Sequence, residues 1–170
     1  MKTLLTDLTG YNQWANERMS TWLQKLTPAQ LNLEQKSSFT TIRKTADHIA
    51  DCEYNWFKRI NGDSTWEYKA QQFDTITKMT EFWLQQSKKF ADLMEKYDDK
   101  KLEEVIAYKN SAGEPFTSEL YKIIAHLMNH STYHRGQLIT IIRGAGMTEV
   151  SYTDLIMFYR QKSGQLTPRG

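Results

Sequence analysis

The sequence predicts an all-α protein that folds as a single helical bundle. Three prolines and eight glycines among 170 residues leave long stretches without helix breakers. Four of these stretches carry apolar residues at helical spacing. The hydrophobic fraction of 39% and the charged fraction of 25% are typical of a folded globular chain. No repeat or shift of composition divides the chain, so we expect one domain over residues 1–163 and a frayed tail over 164–170.

The predicted elements follow from that periodicity and from the residues that start and stop helices. Four long helices are expected over about residues 3–25, 40–60, 75–97 and 117–143. Thr27-Pro28-Ala29-Gln30 has the pattern of a capping box with proline at the first helical position, so a short helix should run to about Leu33. A last short amphipathic helix is expected over about residues 153–160, and residues 61–73 should form a loop.

The period changes between the third and fourth helices. Residues 105–108 and 115–116 flank Asn110-Ser111-Ala112-Gly113, which indicates either a small β-hairpin or an extended excursion. Because proline has no N–H to donate, Pro115 argues against a strong ladder on its side.

Composition also excludes several classes of protein. A formal net charge of +2 provides no basic surface for nucleic acid. Cys52 is the single cysteine, so no intramolecular disulfide can form and a reducing compartment is the simpler interpretation. The N-terminus develops no apolar signal region, and no window approaches the ~18 consecutive apolar residues of a membrane span. We therefore expect a cytoplasmic protein with neither nucleic-acid nor membrane partners.

Two histidines on the fourth helix form the strongest functional motif. His130 and His134 lie ~40° apart around the helix and one turn apart along it. This spacing lets two imidazoles converge on one ion, as in the helical pair of zinc peptidases. His134 falls in the apolar stripe with Leu138, where an imidazole without a partner would cost desolvation free energy. The alternative is a pair of ordinary core histidines bonded to backbone or tyrosine hydroxyls.

A catalytic metal site usually needs a third protein ligand. His126 lies ~80° from His134 on the same helix, so we expect it on the helix flank or in solvent. His48 on the second helix is the remaining histidine, but it falls only at the edge of the apolar stripe, so periodicity supports it weakly. Neither E-x-x-H nor H-E-x-x-H occurs, which disfavours a di-iron bundle and a zinc peptidase.

Other polar residues surround His48 in the sequence. Cys52, one turn further along the helix, is expected to be a small buried hydrophobic residue. Asp47, Asp51 and Glu53 are expected on a solvated helix face, although one of them could orient an imidazole from outside the ligand shell.

Three segments together resemble the DinB/YfiT-like family, whose members are regarded as metal-dependent enzymes. Residues 11–18, YNQWANER, resemble the signature of the family's first helix. Residues 45–49, TADHI, match the segment of the second helix that carries its first metal histidine. Residues 129–138, NHSTYHRGQL, are similar to the family's H-x-x-x-H-R-G-Q stretch. The resemblance covers nearly the whole chain.

The resemblance implies a four-helix bundle with a long crossover and short extra helices. It also implies a divalent metal ion, zinc or nickel, held by His48, His130 and His134, with His126 outside the site. Family members are often homodimers. Some relatives act with low-molecular-weight thiols such as mycothiol, bacillithiol or glutathione.

The leading hypothesis is a metal-dependent transferase acting on a thiol and an electrophile in a pocket at one end of the bundle. Three neutral imidazoles would leave a coordination position open for water or an incoming sulfur. Tyr133 or a nearby acid could assist proton transfer, but no catalytic residue can be assigned. The alternatives are a metal-dependent hydrolase and a non-catalytic metal- or ligand-binding protein of stress response. A fourth protein ligand, such as Cys52, would favour the non-catalytic alternative.

Overall fold

The computed structural model describes residues 1–63, 70–110 and 112–165. In chain order its elements are α1 (Lys2–Leu23), α2 (Pro28–Leu31), α3 (Ile42–Ile60), α4 (Ile76–Lys96), α5 (Asp99–Leu102), β1 (Val105–Lys109), β2 (Pro115–Glu119), α6 (Leu120–Gly144) and α7 (Leu155–Lys162). The predicted all-α class is confirmed, and of the two alternatives for the segment between the third and fourth long helices the small β-hairpin is the one that forms. Residues 64–69 of the predicted loop and residues 166–170 of the predicted tail lie outside the described residues.

The four long helices form the bundle. α1 packs on α4 and α6, and α3 packs on the same two helices. Each long helix buries its apolar stripe against its neighbours, because this packing removes the apolar side chains from water. The chain passes from α4 to α6 through α5 and the hairpin, which form the crossover. Within the described residues, no helix combines the length and the apolar character needed to cross a membrane.

Threonine caps set where several helices begin. Thr27 and Gln30 form the predicted capping box at the start of α2. The Thr41 side chain accepts a hydrogen bond from the Lys44 backbone N–H, so α3 begins at Ile42 rather than near residue 40.

The hairpin shortens the predicted fourth helix. β1 and β2 are antiparallel and pair from Val105 with Glu119 to Lys109 with Pro115. α6 therefore begins at Leu120, after the strand, and the predicted start near residue 117 was wrong. Pro115 is compatible with the ladder because it forms its last pair, where a missing N–H interrupts no interior hydrogen bond.

A polar layer separates two apolar clusters along the bundle. One cluster contains Met19, Leu23, Ile49, Trp83 and Leu138 among others, and the second contains Leu5, Phe90, Met94, Ile124 and Leu127 among others. Between them, each long helix contributes buried polar residues: Asn12 and Asn16, Glu53, Ser87, and Arg135.

Glu53 and Arg135 are linked through two asparagine side chains. Glu53 Oε1 accepts hydrogen bonds from the Nδ2 atoms of Asn12 and Asn16, both at 2.9 Å. Ser87 Oγ donates to Glu53 Oε2 at 2.7 Å. Arg135 Nη1 donates to the Oδ1 atoms of both asparagines. The expectation of a solvated Glu53 was wrong, because this network satisfies a fully buried carboxylate.

Candidate metal centre

The predicted site residues come from two helices that pack directly on each other. α3 supplies His48, and α6 supplies His130 and His134. The ring centroids are 5.1 Å apart for His48 and His130, 4.7 Å for His48 and His134, and 4.4 Å for His130 and His134. The structure therefore brings the three imidazole rings together, but the ligand atoms that lie within 4.8 Å of one another are those of His48, His130 and Cys52, without His134.

The ligand atoms of two histidines and Cys52 lie close together. The Nε2 atoms of His48 and His130 are 3.2 Å apart. Cys52 Sγ is 3.5 Å from His48 Nε2 and 4.0 Å from His130 Nε2. In a tetrahedral zinc site with ordinary Zn–N and Zn–S bonds, nitrogen ligands are about 3.3 Å apart, and nitrogen and sulfur are about 3.6 Å apart. The three atoms thus have nearly the spacing that one ion requires.

Cys52 packs against the apolar cluster that contains Leu5 and Phe90, as the sequence suggested, but it also contacts the histidines. Its side chain is only half-buried, and its sulfur faces the histidines. Burial, followed by the nearby carboxylates of Asp51 and Glu53, raises the pKa of the Cys52 thiol to about 12. The thiol is therefore protonated at neutral pH unless a metal ion binds it.

The imidazoles have the protonation state that metal binding needs. Burial, together with the neighbouring His134, lowers the pKa of His48 to about 4. Burial and the other histidines lower the pKa of His130 to about 4 as well. Both rings are neutral at pH 7 and offer lone pairs. His130 Nδ1 is buried and has no hydrogen-bond partner in the part of the chain that the structure describes. This donor set fits a divalent transition metal.

His134 is held by a neighbour on its own helix. Its Nδ1 lies 2.9 Å from Gln137 Oε1, and Gln137 Nε2 donates to Ser38 Oγ at 2.9 Å. Phe39, next to Ser38, stacks on His48 with ring centroids 4.1 Å apart. The segment before α3 therefore supports the site, and the sequence assigned no role to it or to Gln137.

Two other residues considered from the sequence lie at the edge of the cluster. His126 is exposed, with its ring centroid 5.9 Å from His130 and 5.8 Å from Trp56. Tyr133 is 60% exposed, and its ring centroid is 4.9 Å from that of His134.

Asp47, which could have oriented an imidazole, forms an ion pair with Arg43, whose Nε lies 2.9 Å from Asp47 Oδ1.

The site opens onto a cavity of about 410 Å³ between α3 and the hairpin. His48 and Cys52 form part of its lining, together with Asn55, Trp56, Arg59, Tyr108, Asn110 and Phe116. A cavity of this size accommodates a small molecule. The cluster is therefore accessible to a ligand from the side of the hairpin.

The fold and the cluster define a helical bundle with a histidine- and cysteine-lined site of the kind that binds transition metals. A sequence model of the DinB family matches residues 1–164. The chain therefore belongs to the DinB family.

Two proteins of Bacillus subtilis strain 168 are similar in sequence. The uncharacterized protein YizA is 24% identical over 141 residues, which cover 83% of this chain and 87% of YizA. Protein DinB is 22% identical over 144 residues, which cover 80% of this chain and 83% of that protein.

Solved structures confirm the fold. A DinB-like protein of Bacillus subtilis, YjoA, superposes with a TM-score of 0.67 at 12% identity, over 86% of this chain and 96% of its own. A DinB-like protein of Bacillus cereus superposes with a TM-score of 0.62 at 22% identity, over 81% and 89% of the two chains.

Proposed function

We propose that His48, His130 and His134 hold one divalent metal ion, zinc or nickel, and that the protein is an enzyme that transfers a low-molecular-weight thiol to an electrophile. One observation carries the proposal. The Nε2 atoms of His48 and His130 belong to neutral rings, lie 3.2 Å apart, and adjoin a cavity open to a small molecule. A closed core would favour a purely structural site instead.

The bound metal would lower the pKa of a thiol and make its sulfur nucleophilic at neutral pH. The chain's own residues provide the remaining conditions. Gln137 orients His134, and Phe39 covers one face of His48. In the reaction a carbon–sulfur bond forms, the bond from carbon to its leaving group breaks, and the thiol proton leaves with that group.

Cys52 favours a second candidate, a metal-binding protein without a reaction. Its sulfur lies 3.5 Å from His48 Nε2, where a fourth protein ligand would sit. Four protein ligands close a site, whereas catalytic sites keep one position for water or substrate. The two candidates differ in whether an added thiol can reach the metal.

Metal content tests the ligand set. We expect about one metal ion per wild-type chain by plasma mass spectrometry after loading and desalting, and much less for His130→Ala. His126→Ala is the matched control, since this histidine lies on the same helix but is exposed. Unchanged stoichiometry in His130→Ala would refute the three-histidine proposal.

Thiol-dependent consumption of an electrophile tests the reaction. With 1-chloro-2,4-dinitrobenzene as electrophile, the products are a thioether and chloride. Several thiols and metals should be screened, and we expect metal-loaded protein to exceed metal-free protein for at least one pair. Equal rates for all pairs would contradict transferase activity toward this electrophile.

We also propose that the protein is a cytoplasmic homodimer. Leu4 on α1 and Ile156 on α7 are 59% and 54% exposed, so both terminal helices present apolar surface. Sedimentation across a hundredfold concentration range should show a dimer. A monomer throughout would contradict the assembly and leave the metal site untouched.

A further inference from the structure

The segment that joins α2 to α3 is polar except for one ring. Phe39 is the one apolar residue between Leu33 and Ile42. Its side chain is half-buried, yet in the part of the chain that the structure describes it packs on neither of the two apolar clusters. The burial of this ring therefore comes from a contact outside the core.

That contact is with two of the proposed metal ligands. The Phe39 ring stacks on His48 with centroids 4.1 Å apart and an angle of 29° between the ring planes. It is tilted by 58° against His134, with centroids 5.6 Å apart. Ring pairs at these distances attract each other. Phe39 is thus a neighbour of the site rather than a core residue.

His48 lacks the polar contact that usually orients a ligating histidine. Its Nε2 faces His130 Nε2 and Cys52 Sγ, and its Nδ1 lies 3.8 Å from the same sulfur. Among the described residues it has no carboxylate, carbonyl or amide partner, whereas His134 has an amide partner. A ligating histidine is normally oriented by such a group. For His48, the stack with Phe39 is the orienting contact that remains.

The loop that carries this ring is closed on itself and tied to α6. The Gln35 backbone N–H donates to the Thr40 carbonyl at 2.8 Å, which closes the loop around Phe39. Gln35 Nε2 donates to the Ile141 carbonyl of α6 at 2.7 Å. Gly144 leaves room for this amide, since a Cβ at that position would collide with Gln35 Oε1. The loop therefore holds the ring at a fixed place beside the bundle.

We infer that Phe39 is the positioning residue of His48: its ring holds the imidazole in the orientation in which Nε2 meets the metal ion. A ligand that is already oriented loses less freedom when the ion binds, so the affinity is higher. The inference rests on His48 as a metal ligand, as proposed above, and does not depend on thiol transfer. It assigns a role in metal binding to a residue that cannot itself bind the metal.

Zinc affinity, measured by competition against a chromophoric chelator, tests the role of the ring. Phe39→Leu removes the ring but keeps an apolar side chain, and we expect it to bind zinc about tenfold more weakly than wild type. Phe39→Tyr keeps the ring and should retain most of the affinity. Phe82→Leu is the matched control, because Phe82 is also half-buried but makes its ring contacts with Tyr54 and Phe73. It should bind zinc like wild type.

Two measurements on metal-free protein separate positioning from general stability. In nuclear magnetic resonance spectra, the ring current of Phe39 should shift the His48 ring protons upfield, and Phe39→Leu should remove this shift. The urea midpoint should fall no more for Phe39→Leu than for Phe82→Leu. A loss of zinc affinity with these two results means that the ring acts through His48.

Wild-type zinc affinity in Phe39→Leu, with the upfield shift lost, would overturn the inference. Equal losses in Phe39→Leu and Phe39→Tyr would also overturn it, because the ring would then not be the group that matters. Failure of the proposed ligand set gives a different result, since His48→Ala would then bind zinc like wild type as well. A protein that binds metal but transfers no thiol would still show the Phe39 effect.

Discussion

His134 donates a hydrogen bond from Nδ1 to Gln137 Oε1 at 2.9 Å. The amide is oriented because its nitrogen donates to Ser38 Oγ, so the oxygen faces the imidazole. An amide oxygen can only accept, and therefore Nδ1 carries the proton and Nε2 keeps its lone pair. Gln137 thus sets the tautomer in which His134 can bind a metal through Nε2.

Gln137→Ala should weaken metal binding by about tenfold, because removing a hydrogen-bond partner of a ligating histidine frees its ring and its tautomer. Competition against a chromophoric chelator measures the affinity. Thr140→Ala, at an exposed position one turn further along α6, should change it little. An affinity equal to that of wild type in Gln137→Ala would show that His134 is not a ligand or needs no orientation.

Cobalt spectroscopy decides the role of Cys52. The spacing of Cys52 Sγ from the two Nε2 atoms is close to that of a tetrahedral site. Because the proposed site has three histidine ligands and an open position, we expect cobalt-loaded wild-type protein to show no thiolate charge-transfer band without added thiol. A band that Cys52→Ser lacks, while still binding cobalt, would make Cys52 a fourth ligand and favour the non-catalytic candidate.

Excess glutathione should then create the thiolate band in wild-type protein and in Cys52→Ser alike. These changes would mean that an external sulfur reaches the metal, as thiol transfer requires. Spectra that do not respond to glutathione would favour the closed, non-catalytic site.

Acid should destabilise the metal-free protein through His48 and His130. Their folded-state pKa values of about 4 lie below the ordinary value of 6.5. Between these pH values the unfolded chain binds protons that the folded chain does not. The stabilisation that comes from keeping His48 and His130 neutral is therefore complete above pH 6.5 and is lost as the pH falls toward 4.

Urea midpoints at about pH 7 and pH 5 measure this effect. The midpoint should fall more for wild type than for the double variant His48→Ala/His130→Ala. His126→Ala should retain the wild-type drop, since this side chain is exposed. An equal drop in wild type and the double variant would show that neither buried imidazole governs the acid response.

The sequence predicted much of this architecture because helical periodicity and caps are local signals. The four long helices and the capping box at Thr27 needed no tertiary information. The start of α6 was misplaced because residues 117–119 pair with β1, and pairing is a long-range interaction. The helical propensity of residues 117–119 could not reveal that these residues pair as a strand instead.

The candidate site was predictable only where two residues share one helix. His130 and His134 followed from their spacing, while His48 depended on family resemblance because its partner helix is distant in sequence. For Cys52 only the core packing was expected, since a cysteine one turn from a histidine gives the same pattern whether it faces the core alone or also a ligand. Glu53 was misjudged for a similar reason. Its burial depends on the asparagines of α1, 41 and 37 residues away.

The Glu53 network leads to a prediction about stability. Glu53 and Arg135 are both buried, and the asparagine amides between them carry hydrogen bonds from the cation to the carboxylate. Glu53→Ala removes the acceptor and leaves the guanidinium as an uncompensated buried charge. We expect a loss of about 3 kcal/mol in the free energy of unfolding, measured by urea denaturation. Glu17→Ala, at an exposed position on α1, should cost far less.

The double variant Glu53→Ala/Arg135→Met tests whether the two charges act together. If the asparagines couple them, removing both should cost less than the sum of the two single changes, because no unpaired charge remains. Glu53→Gln should fall between wild type and Glu53→Ala, since the Ser87 hydroxyl can accept a hydrogen bond from the new amide. Additive single and double effects would mean that Glu53 and Arg135 stabilise the bundle independently.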